Sequence, residues 1–73
     1  MSEQQADLKK LVVVATDLGL SVELRAKAIK LIANLGDHDA LVALLGLVAN
    51  DRLTRGEREL AIKYAREMVR AGH

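Results

Sequence analysis

Seventy-three residues make one small domain, and the absence of cysteine excludes a disulfide or a cysteine-held zinc as the staple that so short a chain commonly needs. Just over half of the residues are hydrophobic, yet Tyr64 is the only aromatic and proline is absent. The core must therefore come from Leu, Val, Ile, Ala and Met packed at close range, which suits helices and not a small β protein. A formal net charge of +1 argues by itself for neither nucleic acid nor a membrane surface.

Ser2-Glu3-Gln4-Gln5 reads as a capping box. From there Leu8, Leu11, Val12, Ala15 and Leu18 recur at three and four, the helical period. Gly19 is placed to end this helix in the left-handed conformation. Ser21 caps a second helix whose stripe is Leu24, Ala28, Leu31, Ile32 and Leu35, and Gly36 stops it. Asp37 or Asp39 caps a third, with Leu41, Leu44, Leu45 and Val48 along one side. Thr54-Arg55-Gly56-Glu57 is a further capping box, followed by Leu60, Ala61, Tyr64, Ala65 and Met68, with Gly72 at the end. The expected helices cover about 3–18, 21–35, 38–50 and 55–71.

The chain matches itself when shifted by 33 residues. Leu8 falls on Leu41, Leu11 on Leu44, Leu20 on Leu53, Arg25 on Arg58, and Ala28-Ile29-Lys30 on Ala61-Ile62-Lys63. Asp17 pairs with Asn50 and Ser21 with Thr54, so turn and helix start coincide in both copies. Such a period signals stacked helical hairpins, neither of which buries its apolar face alone. The expected architecture is all-α: one domain over 1–73, with hairpin repeats at about 3–36 and 37–72.

Arg25 to Asp37, an arginine followed by small and apolar residues and ending Leu35-Gly36-Asp37, resembles the second helix of a short HEAT repeat. Ala40 to Val48 is similar to the first helix of the next one. The resemblance implies a non-catalytic, armadillo-like scaffold that packs against protein, as a compact four-helix bundle or a minimal α-solenoid. It departs from the family in lacking prolines at the hairpin turns and in ending the second copy Met68-Val69. The joint absence of Pro, Cys, Trp and Phe also fits a designed or simplified sequence.

Candidate sites are few. The turns after Asp17 and Asp51 are similar in outline to calcium loops, but the twelfth residues are Ala28 and Ile62 where a bidentate glutamate is required. Asp37-His38-Asp39 has no second His or Cys near it, and His73 is terminal, so no metal is expected. No nucleophile, glycine-rich phosphate loop or cofactor motif is present, and an enzyme is not expected. Arg55, Arg58, Arg66 and Arg70 on the basic last helix offer an alternative nucleic-acid face, although Glu57, Glu59 and Glu67 cancel much of that charge.

The apolar residues exceed what one core absorbs. Val42 and Leu47 lie off the third helix's stripe, Val13 and Val14 beside the first, and Ile29 beside the second. Gly46, unfavourable inside a helix, suggests a close helix contact. The expectation is a weak symmetric homodimer using Val13, Val14, Val42 and Leu47; the alternative is that the third helix is the buried centre of a self-sufficient bundle. The run Ala40 to Ala49 is too short for a membrane span, and the N-terminus lacks a signal-peptide pattern, which points to a cytoplasmic protein.

Overall fold

The computed structural model describes residues 3–72 and contains four helices: α1 (Glu3–Ala15), α2 (Val22–Leu35), α3 (His38–Val48) and α4 (Arg55–Arg70). No strand occurs among the described residues, so the fold is all-α. The helices α2, α3 and α4 each start where a side chain satisfies an orphan N–H of the first turn. Ser21 accepts from the Leu24 N–H at 3.2 Å, Asp37 from Ala40 at 2.8 Å, and Thr54 from Glu57 at 3.2 Å. Asp37, not Asp39, is thus the cap of α3. The capping box at Ser2 and the terminal His73 lie outside the described residues.

The stops differ more. Gly36 is left-handed, with φ 69°, and closes α2 as expected. α1 ends at Ala15, earlier than expected, and Gly19 is not left-handed. Instead the Thr16 hydroxyl donates to the Val12 carbonyl at 2.8 Å, and the Gly19 N–H donates to Asp17 Oδ1 at 2.9 Å. The side chain two residues back holds the turn, so no special backbone angle is required.

The two hairpins share the backbone bonds of this turn and its side-chain acceptor. The Leu20 N–H donates to Asp17 O at 3.0 Å and the Leu53 N–H to Asn50 O at 3.2 Å. Asn50 Oδ1 accepts from the Arg52 N–H at 3.0 Å, as Asp17 Oδ1 does from Gly19. α1 packs on α2 and α3 on α4, making two hairpins. α2, not α3, is the centre: it packs on all three others, whereas α3 meets α1 only at its margin. The radius of gyration, 11.2 Å, matches the roughly 11 Å expected of a compact chain of this length.

Hairpin-on-hairpin packing selects the core. Ile29, Ile32 and Leu44 are the largest fully buried side chains, with Ala15, Ala28, Ala40, Leu53 and Ala61 around them. Ile29, expected beside the stripe of α2, is inside, whereas Leu24 and Leu31, expected on it, are half exposed. On α3 the buried stripe is Ala40, Leu41, Leu44 and Leu47, and Leu45 is exposed. Gly46 marks no close contact: a Cβ there would meet nothing within 4 Å.

Candidate functional site: a groove on the second hairpin

An ion pair inside the molecule joins the two hairpins. Arg25 stands four residues after the Ser21 cap, on the side of α2 that faces the second hairpin. Its Nε donates to Glu57 Oε2 at 2.8 Å and its Nη2 to Glu57 Oε1 at 3.0 Å, a two-pronged pair in which both residues are buried. Its Nη1 donates to the carbonyls of Leu20 at 2.8 Å and Asp17 at 3.4 Å. One planar guanidinium therefore ties the α1–α2 turn to the first turn of α4.

Glu57 Oε1 also accepts from the Thr54 N–H at 3.2 Å and the Thr54 hydroxyl at 3.0 Å, completing the capping box. The Arg25 guanidinium holds the Glu57 carboxyl below the usual glutamate range; burial pushes the other way, and Thr54 adds to the lowering. Glu57 in turn raises the pKa of Arg25. A carboxylate kept ionised and saturated with donors is a structural group rather than a proton acceptor. This pair is not among the sequence-derived candidates. The 33-residue shift sets Arg25 on Arg58 but Glu57 on Leu24, so the acid has no counterpart in the first copy.

The corresponding side of the second hairpin is open. Leu41, Leu45 and Val48 of α3 and Ile62, Ala65 and Val69 of α4 line an apolar groove of about 420 Å³, with exposed Arg66 and Arg70 beside it. Shifted back by 33 residues, five of these positions are Leu8, Val12, Ala15, Ile29 and Ile32, members of the core against which the second hairpin packs. Ile29 is 0% exposed, whereas Leu45 is 54% and Val69 62% exposed. Arg58 precedes Ile62 by one turn, as Arg25 precedes Ile29, and its Nε is buried without a hydrogen-bond partner.

The surface expected for self-association is divided. Val13 and Val42 are exposed, and Val14 is half-buried against the core. Leu47 is only 2% exposed and belongs to the core, because the second hairpin packs its 40/44/47 side onto the first. The expected nucleic-acid face is divided too. Arg55 Nε donates to Glu59 Oε1 at 3.1 Å, Arg58 is half-buried, and Arg66 and Arg70 border the groove. A second depression along α4 mixes Glu59 and Glu67 with Lys63, Arg66 and Arg70, as a solvated helix face does.

Among the described residues no group of three or more His, Asp or Glu is arranged to hold a metal ion. No helix among them is long and apolar enough to cross a membrane. No family model, curated protein or solved structure matches the chain.

Proposed function

We propose that the chain is a non-catalytic, HEAT-like helical module that binds another protein through the groove between α3 and α4. One observation carries the reading: at five positions the groove repeats the surface on which the molecule stacks its own second hairpin. A face that buries a helical hairpin in one copy is suited to bury a helix in the other. The two ends of the stack also differ. The depression on the far side of the first hairpin has Asp7, Lys10 and Asn34 among its lining residues, as a capping face would, whereas no polar residue but arginine lines the groove. Leu45 and Val69, a little over half exposed, would each contribute roughly 1–2 kcal/mol if fully covered, a useful share against the cost of association.

Nucleic-acid binding through Arg55, Arg58, Arg66 and Arg70 has less support, since these cations are paired, half-buried or beside an apolar surface. Selection of a displayed library of amphipathic helices against the chain tests the reading. Binders should be lost on folded Leu45→Lys and Val69→Lys variants. Binders indifferent to both changes, or a salt-dependent gel shift with mixed DNA or RNA, would contradict it.

A further inference from the structure

We infer that Arg58 is a carboxylate receptor, and that the partner is an amphipathic helix which seats one glutamate on Arg58 and lays small apolar residues along the groove. The inference rests on the groove being the binding face and specifies what fits it. The two arginines occupy the same place in the two copies: four residues after the cap (Ser21 or Thr54) and one turn before an isoleucine, Ile29 or Ile62. Arg25 is satisfied by Glu57, which comes from the hairpin stacked upon it. Arg58 has no such donor of a carboxylate. Its Nε is buried and unbonded, and the acids next to it along α4 are engaged elsewhere. Glu57 is committed to Arg25 and Thr54, and Glu59 to Arg55. A buried guanidinium N–H without an acceptor is a strong and directional demand for one.

The molecule also displays the ligand's pattern. The helix that satisfies Arg25 buries Glu57, Ala61, Ala65 and Met68, an acid followed at helical spacing by small and flexible apolar residues. A helix of that pattern docked on the groove places its acid at Arg58 and its apolar side chains against Ile62 and Leu45. A second copy of the chain does not fit as well. Stacked head to tail it offers Leu24 where the acid is needed, and Asp7 and Lys10 where Ala40 and Ala43 pack in the original. Stacked groove to groove it brings the Arg66 and Arg70 cations of both copies into one interface, with no acid among the groove's lining residues.

The test uses the full chain and a defined probe: a peptide of residues 54–72, held helical by a lactam between the exposed side chains at 59 and 63. A second peptide carries Glu57→Gln. Binding is followed by NMR of the Arg58 Nε–H and of the Ile and Val methyl groups. The Glu57 peptide should shift the Ile62 and Val69 signals and slow exchange of the Arg58 Nε–H. It should bind at least about tenfold tighter than the Gln peptide, and an Arg58→Gln chain, folded by circular dichroism, should bind both alike. Equal affinity of the two peptides for the wild-type chain would overturn the role of Arg58 while leaving the groove as a binding face. No shift with either peptide would overturn both. Shifts confined to Ile29 and Ile32 would mean that the peptide displaces the chain's own α4, which also overturns the inference. So would a dimer of the chain alone that maps to the groove.

Discussion

Leu45 and Leu47 stand two residues apart on α3 and meet opposite fates, one in the open groove and the other in the core. Lysine at 45 keeps its charge in water and should change stability by less than about 0.5 kcal/mol. Lysine at 47 would bury an unpaired charge and should unfold the domain, which a helical signal lost in far-UV circular dichroism would show. Leu44→Ala, at a fully buried position, should lower the unfolding free energy by about 2–5 kcal/mol, read from the urea midpoint. The Arg25–Glu57 pair makes a prediction about pH. The folded pKa of Glu57 is depressed, so its stabilisation is complete above the unfolded glutamate range and is lost as pH falls through the depressed value. The urea midpoint should therefore fall in acid more steeply for the wild type than for Glu57→Gln. At neutral pH the Gln variant should be the less stable, and less stable than Glu59→Gln, whose partner Arg55 is exposed. Parallel acid profiles for wild type and Glu57→Gln would show that the pair does not stabilise the fold.

At the scale of the elements, two glycines with different roles should respond in opposite directions. Gly46 lies inside α3 with open space beside it, so Gly46→Ala should stabilise by about 1 kcal/mol. Gly36 holds φ 69°, where an L side chain is strained, and Gly36→Ala should destabilise by about 1–2 kcal/mol. Thermal midpoints of the two variants, moving up and down respectively, check both. What is legible in the sequence at this scale is what local chemistry decides. Ser21, Asp37 and Thr54 mark helix starts because a short polar side chain reaches an N–H only two or three residues ahead. The 33-residue repeat is legible for the same reason, since matching caps produce matching turns. The buried side of each helix is less so. Apolar periodicity marks every apolar position on a helix, but tertiary packing buries Ile29 and Leu47 and leaves Leu24 and Leu45 exposed. The ion pair is hidden because its partners come from different hairpins, and the groove because it is defined by what the second hairpin does not cover.

At the scale of the whole molecule, the stack is polarised. α2 packs against both α3 and α4 in the middle, a partly polar depression ends the first hairpin, and an apolar groove edged by arginines ends the second. The Arg25–Glu57 pair fixes the register of the one stacking contact the molecule makes internally. The groove offers the apolar half of a further contact together with an arginine awaiting its acid. Sedimentation velocity over a wide concentration range, with the chain alone and then with the lactam-held 54–72 helix, tests this account most directly. The prediction is a 7.9 kDa monomer alone and a one-to-one complex with the peptide, lost in Leu45→Lys. A chain that dimerises by itself and becomes monomeric in Leu45→Lys, or one that forms no complex with the peptide, would contradict it.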